Sequence, residues 1–101
     1  MPFDVYVLPQ ADARMAAHIN FMARVSESAG VRLYEAYQEC LSMLSENPYL
    51  YPVYIPKINI ETQLRQKLFY KRYRAVFEIS DNAVYIHDIQ DCRQDTDKSL
   101  V

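Results

Sequence analysis

Apolar and polar residues alternate at the start of the chain and then change to a helical period. Within residues 3–8, alternate side chains from Phe3 to Val7 fall on one face of an extended backbone, which predicts a short β-strand. Pro9 ends this strand because proline cannot donate to a strand ladder. From about residue 11 to residue 29, apolar residues recur every three or four positions, which predicts a first helix.

A second helical pattern follows a short polar break. Residues 26–30 form the break, and Ser28 within it is a candidate N-cap for the helix that follows. From about residue 31 to residue 46 another apolar stripe predicts a second helix. It ends before Pro48, because the residue preceding a proline is disfavoured in the α region. Two helices joined by so short a break are expected to pack as an antiparallel hairpin.

The next segment is rich in proline and tyrosine. Its prolines recur every fourth residue from Pro48 to Pro56, a spacing that excludes a helix. Three tyrosines lie between these prolines. We interpret the segment as an extended, ordered loop whose aromatic side chains cover an edge of the core.

The last third of the chain has the composition and alternation of β-structure. The pattern predicts strands over residues 63–69, 72–80 and 83–90. Asp81-Asn82 supplies the turn between the last two strands, because Asp and Asn tolerate the positive φ that such turns need. The element order is therefore β-α-α-β-β-β. We predict one α+β domain spanning the chain, with the helical hairpin packed on a mainly antiparallel, four-stranded sheet.

Composition narrows the possible functions. The chain has 101 residues, of which 50% are hydrophobic and 24% are charged, a balance typical of one globular domain. Its net charge of −2 excludes a generally basic nucleic-acid-binding coat, and its single glycine excludes glycine-rich phosphate loops. No apolar run approaches the roughly 18 residues of a membrane span. Without a secretion signal, Cys40 and Cys92 are expected to be free thiols in the cytoplasm.

The strongest candidate for chemistry is a basic run. Residues 64–74 contain five basic and no acidic residues, although the chain as a whole is acidic. Strand alternation sends Arg65 and Lys67 to one face, and Arg74 on the next strand is expected to stand beside them. Such a cluster could bind a phosphate and stabilise negative charge in a transition state. The alternative is a solvated hairpin whose cations only surround a turn.

At this point the sequence resembles a known family. Residues 73–79, the Asp81-Asn82 turn and residues 84–89 follow a helical hairpin, and this order is similar to the RelE/ParE superfamily of bacterial type II toxins. The helical part, from Ile19 to Pro48, is more similar to the ParE side. The resemblance covers about residues 3 to 95. It implies an α+β toxin that arrests growth and works in the cytoplasm with a cognate antitoxin protein.

The family has two activities, and the resemblance leaves both open. RelE-type members cleave mRNA on the ribosome. In that case Arg74 would hold the scissile phosphate, Arg65 and Lys67 would activate the 2′-hydroxyl and stabilise charge, and Arg93 would match a C-terminal arginine. ParE-type members instead inhibit DNA gyrase without cleaving a bond themselves. A third possibility is an inactive homologue that only binds an antitoxin.

Two departures count against the ribonuclease. No tyrosine follows Tyr85 and no histidine follows His87, so a general acid of the family's usual kind is missing unless Asp91 or Lys98 replaces it. The pI of about 5.6 also fits poorly with docking onto ribosomal RNA. We expect a packed, structural role for His87.

No motif predicts a metal ion or a cofactor. The carboxylates near the C-terminus have no metal-ligand spacing and are expected to be solvated; they are Asp88, Asp91, Asp95 and Asp97.

The implied partner is an acidic, partly disordered antitoxin. A chain of this size leaves apolar surface uncovered, and an exposed apolar patch usually marks an interface. By resemblance to type II antitoxins, a C-terminal segment of the partner is expected to fold on binding. We expect it to cover Arg65 and Arg74, or the face of the helices near Tyr34 and Tyr37, in a hetero-oligomer.

Overall fold

The described part of the chain forms two α-helices and five strands. A computed structural model describes residues 2–56 and 61–93. Within them the elements are β1 (Asp4–Val7), α1 (Pro9–Val25), α2 (Glu27–Glu46), β2 (Val53–Tyr54), β3 (Leu64–Phe69), β4 (Tyr73–Ser80) and β5 (Ala83–Asp91). A short 3₁₀ turn, Pro48–Leu50, lies between α2 and β2. Neither helix in this part of the chain is long and apolar enough to cross a membrane.

The five strands form one mixed sheet in the order β1-β5-β4-β3-β2. β1 runs parallel to β5, and the other neighbours are antiparallel.

The predicted α+β class is confirmed, but the prediction of four strands is wrong. The additional strand, β2, lies in the segment that we interpreted as a loop. It is two residues long, and Pro52 before it accepts a hydrogen bond from the Gln66 backbone N–H at 2.9 Å through its carbonyl oxygen. An edge strand tolerates flanking prolines in this way, because only one side of it must bond to the sheet.

The helical hairpin is tighter than the sequence pattern indicated. α1 begins at Pro9, where the missing N–H costs nothing because the first N–H groups of a helix have no intrahelical partner. A single residue, Ser26, separates the two helices. Ser26 Oγ accepts a hydrogen bond from the Ala29 N–H at 3.2 Å, so Ser26 caps α2 rather than the predicted Ser28.

The core lies between the hairpin and one face of the sheet. Its fully buried members come from both helices and from β4 and β5; they include Ala11, Met15, Leu33, Leu44, Ala75, Phe77, Val84, Ile86 and Ile89. Both cysteines are free, as expected: Cys40 is buried in this core and Cys92 is exposed.

Gly30 marks a close approach of the two helices. A Cβ atom placed on Gly30 would lie 3.0 Å from the Cβ of Ala23 and 3.2 Å from its Cα. We expect Gly30→Val to lower the free energy of unfolding by about 1–3 kcal/mol, because the added methyl groups would press against the α1 backbone. Urea unfolding measures this change. Ser42→Val, at an exposed site of the same helix, should change stability by less than about 0.5 kcal/mol. Equal stability of the two variants would contradict the close packing.

Candidate functional site

Strand pairing decides on which face of the sheet each candidate cation lies. The Cα partners across β3 and β4 are Arg65 with Phe77, Lys67 with Ala75, and Arg74 with Leu68. Directly opposed residues share a face, and Phe77 belongs to the core beneath the helices. Arg65 and Lys67 therefore lie on the helix side of the sheet. Arg74 lies on the far face, by which we mean the face turned away from the helices. The prediction that Arg74 stands beside Arg65 and Lys67 is wrong.

The two cations on the helix side hold the proline- and tyrosine-rich segment against β3. Arg65 Nη1 donates a hydrogen bond to the Tyr51 carbonyl oxygen at 2.6 Å, and its guanidinium carbon lies 5.4 Å from the centre of the Tyr49 ring. Lys67 Nζ lies 4.8 Å from the centre of the Tyr51 ring. Cation–aromatic contacts of this kind contribute about 0.5–1 kcal/mol at exposed sites. These cations thus anchor the segment, a role that the sequence did not indicate.

Arg74 belongs to a polar network on the far face. Its Nη1 donates to Gln90 Oε1 at 2.9 Å, and its guanidinium carbon lies 5.4 Å from the centre of the Tyr54 ring. Gln90 Nε2 donates to the Tyr54 hydroxyl at 3.1 Å and to Asp88 Oδ2 at 3.4 Å. Because Gln90 is only 3% exposed, these bonds fix which way its amide points. The network presents Arg74 in one orientation.

Helix α1 completes this network at the edge of β5. β1 pairs with β5 only as far as Ile86, and side chains spaced four residues apart on α1 bond to the strand beyond that point. Gln10 Nε2 donates to the His87 carbonyl oxygen at 3.4 Å, and His18 Nε2 donates to the Ile89 carbonyl oxygen at 2.7 Å. Between them, Arg14 Nε lies 3.3 Å from Asp88 Oδ1.

A bulge in β5 allows these bonds. Phe77 pairs with Ile86 and Val76 pairs with Asp88, so His87 is the extra residue. His87 Nε2 lies 2.6 Å from Glu78 Oε1, and both side chains are about three-quarters buried. This contact agrees with the packed role expected for His87.

The C-terminal candidates form a separate group. Arg93 is exposed, and its Nε lies 3.8 Å from Asp91 Oδ1. Arg72 Nη2 lies 3.8 Å from the other oxygen of the same carboxylate. Asp88 and Asp91 are therefore buried and ion-paired, so the expectation that they are solvated is wrong. Asp95, Asp97 and Lys98 lie outside the described residues. Within residues 2–56 and 61–93, no three His, Cys, Asp or Glu side chains are grouped so as to hold a metal ion.

The two tyrosines expected at an antitoxin surface have different environments. Tyr34 is 50% exposed and lines an apolar groove of about 260 Å³ between the helices, together with Ile19 and Val31. Tyr37 is 6% exposed, and its ring centre lies 6.1 Å from that of Phe69 in the core. Burial, with smaller contributions from Asp12 and other neighbours, raises the pKa of Tyr37 to about 12. Tyr34 is accessible to a partner, whereas Tyr37 is a core residue in the free protein.

The geometry limits the chemistry that these residues can share. A phosphate on the far face could contact Arg74, but the sheet backbone would separate it from Arg65 and Lys67. Arg74 instead contacts Tyr54 and Gln90, and Gln90 in turn bonds to the buried carboxylate of Asp88. The arrangement suits a rigidly held cation that binds an anionic group better than a set of groups that transfer protons to and from one bond.

Comparison with known proteins identifies a relative in fold. No protein-family model matches the chain, and no curated protein matches its sequence. A chain from the solved structure of the chromosomal ParDE TA system from P. aeruginosa superposes with a TM-score of 0.70. The alignment covers 88% of this chain and 95% of that chain, with 13% sequence identity. At this identity the likeness concerns the fold alone, and it agrees with the α+β architecture of a helical hairpin packed on a sheet that the sequence predicted.

Proposed function

We propose that this protein is the toxin of a type II toxin–antitoxin pair, and that it arrests growth in the cytoplasm by binding DNA gyrase rather than by cleaving mRNA. The fold supports the first part, because nearly the full length of a chain from a ParDE TA system superposes on this one. The partner that restrains it is a cognate antitoxin, bound in a hetero-oligomer.

The observation that favours binding over cleavage is the separation of the cations. Cleavage of RNA at a 2′-hydroxyl requires the group that activates the hydroxyl and the groups that stabilise the phosphate to meet around one bond. Arg65 and Lys67 lie on the opposite face of the sheet from Arg74. The backbones of β3 and β4 lie between Arg74 and the other two cations.

Induced expression in growing bacteria tests the proposal. We expect incorporation of labelled thymidine to stop before that of labelled methionine, and the purified protein to inhibit supercoiling by gyrase without cutting ribosome-bound mRNA. Co-expression of the adjacent small reading frame should restore growth. An early stop in methionine incorporation with mRNA cleavage would favour the ribonuclease. Normal growth under induction, with a stable complex on co-expression, would favour an inactive antitoxin-binding module.

Matched variants sharpen this test. If Arg65 and Arg74 belonged to one catalytic site, Arg65→Ala and Arg74→Ala would disrupt the same step. The loss of activity in the double variant, as a free energy, would then fall well short of the sum of the losses in the two single variants. Because the two residues lie on opposite faces, we expect the free-energy changes that the single variants cause in gyrase inhibition to add within about 0.5 kcal/mol in the double variant. Thermal unfolding of each variant controls for loss of folded protein.

A further inference from the structure

An apolar groove lies between the two helices, close to the turn that joins them. Its volume is about 260 Å³, and its lining residues come from both helices: Ile19, Ala23, Glu27, Gly30, Val31 and Tyr34. Gly30 and Ala23 leave this space open, because the helices approach closely at these two residues and neither has a side chain longer than a methyl group. The groove is therefore a hollow whose longer apolar side chains stand at its sides.

The α2 side of the groove carries a projecting apolar ridge. Val31 is 56% exposed and Tyr34 is 50% exposed, and residues three apart on a helix form one of the ridges that pack into grooves of a neighbouring helix. Val31 has few rotamers and a tyrosine side chain has only two torsion angles, so both lose little entropy when a contact fixes them. A surface that combines a groove with such a ridge can pack against a copy of itself.

The charges around the groove also suit a copy of the same surface. Residues 19–35, which span the groove, contain two basic and two acidic residues and are therefore neutral. Arg24 and Glu27 are exposed and lie on the two sides of Ser26. When this surface meets its copy about a two-fold axis, Arg24 of each chain can face Glu27 of the other. A strongly acidic or strongly basic partner would leave one of these two charges without a counter-charge.

We propose that this groove is the contact surface of a homodimer, in which α2 of each copy lies across the groove of the other. The ridge of Val31 and Tyr34 packs beside Ala23 of the second copy, and the two charge contacts flank it. The four helices then form a bundle of antiparallel hairpins. This dimerisation is separate from the proposed function, because neither gyrase nor an antitoxin takes part in it.

The extent of the contact sets the expected affinity. Only about two turns of each helix border the groove, which places the interface at the small end of specific interfaces, and we expect a dissociation constant of roughly 1–100 μM. Sedimentation equilibrium of the purified full chain from about 1 to 500 μM brackets this range. The average mass should rise from 11.9 kDa toward twice that value. A mass that stays at 11.9 kDa throughout would overturn the proposal.

Two equally exposed apolar residues give matched variants for the position of the contact. Val31 is 56% exposed beside the groove, and Leu68 is 58% exposed on β3. We expect Val31→Glu to weaken dimerisation at least about 10-fold, because the contact would bury an unpaired charge. Leu68→Glu should leave dimerisation unchanged. Circular dichroism and thermal unfolding establish that both variants are folded. Loss of the dimer with Leu68→Glu alone would place the contact on the sheet and contradict the proposal.

Charge reversal tests the two-fold arrangement itself. In Arg24→Glu alone or Glu27→Arg alone, the contact between copies brings like charges together, and we expect dimerisation to weaken at least about 10-fold. In an equimolar mixture of the two variants, opposite charges meet at both contacts, so the mixture should associate about as tightly as wild type. A mixture that associates as weakly as either variant alone would show that these residues do not face each other across a two-fold axis.

The same variants distinguish a second copy from another occupant of the groove. If the chain is monomeric at every concentration and Val31→Glu instead weakens binding of the protein encoded by the adjacent reading frame, the groove takes that partner and the homodimer is wrong. If the chain dimerises as expected but does not inhibit gyrase, the homodimer stands and the proposed function fails.

Discussion

Replacing Asp88 by alanine is expected to lower the free energy of unfolding by about 3–5 kcal/mol, because Arg14 loses a buried counter-charge. Asp88 is fully buried and lies 3.3 Å from Arg14 Nε, and the Arg14 side chain is only 19% exposed. Gln90 also loses the carboxylate that accepts from its Nε2 at 3.4 Å. For a domain of this size, a loss of this magnitude corresponds to a fall of about 12 °C or more in melting temperature.

Two controls separate the contribution of the Arg14–Asp88 ion pair to stability from the general effects of a substitution. Asp4→Ala removes an exposed carboxylate from β1 and should change stability by less than about 0.5 kcal/mol. The double variant Arg14→Met, Asp88→Leu should recover much of the loss, because apolar residues can replace a buried pair once neither charge is left alone. Calorimetry of the four proteins measures these differences. A melting temperature for Asp88→Ala within 3 °C of wild type would show that the pair contributes little.

The sequence predicted the helices and the main strands because their apolar residues have a clear period. The stripe that includes Leu33 and Leu44 lies in the core, as its spacing predicted. β2 was missed because a strand of two residues within a proline-rich segment carries no periodic signal. Its pairing with Leu64 and Arg65 is a tertiary contact, which the composition of the segment does not reveal.

The position of the candidate cations depended on the length of one turn. Phe69 pairs with Tyr73, which leaves a three-residue turn in which Tyr70 and Lys71 adopt positive φ values of 51° and 65°. The turn contains no Gly, Asn or Asp to indicate that conformation from the sequence. The two-residue turn over residues 70–71 that the predicted strand bounds imply would have placed Lys67 directly opposite Arg74, on the same face. A shift of one residue exchanges the two faces of a strand, so residue spacing alone could not decide whether the cations meet.

The far-face network was missed because its members are distant in sequence. Arg14 lies 74 residues before Asp88, and neither residue belongs to a recognisable motif. One signal was available: Gln10, Arg14 and His18 recur every fourth residue on the first helix. A polar stripe of this kind beside an apolar one predicts that the helix contacts polar groups, although it does not identify them.

The protein should become markedly less stable above about pH 9, because two core groups must remain protonated in the folded state. Burial raises the pKa of Cys40 to about 12 from 9.0, although Lys67 opposes the shift. Burial likewise raises the pKa of Tyr37 to about 12 from 10.0.

Below pH 9 both groups are protonated whether the chain is folded or unfolded, so their contribution to stability is complete. As the pH rises toward 12, the unfolded chain releases these protons and the folded chain retains them. The free energy of unfolding therefore falls by up to about 1.4 kcal/mol per pH unit for each group.

Urea unfolding at pH 7, 9, 10 and 11 measures this loss. Burial also raises the pKa of Tyr73. Single variants are therefore needed to decide which residue causes the fall in the free energy of unfolding with pH. Tyr37→Phe keeps the ring against Phe69 but removes the hydroxyl, and it should flatten the decline above pH 10. Tyr34→Phe removes a hydroxyl from a half-exposed tyrosine on the same helix and should leave the decline as in wild type. Stability independent of pH up to 11, or equal slopes for the two variants, would show that Tyr37 is not held protonated by the core.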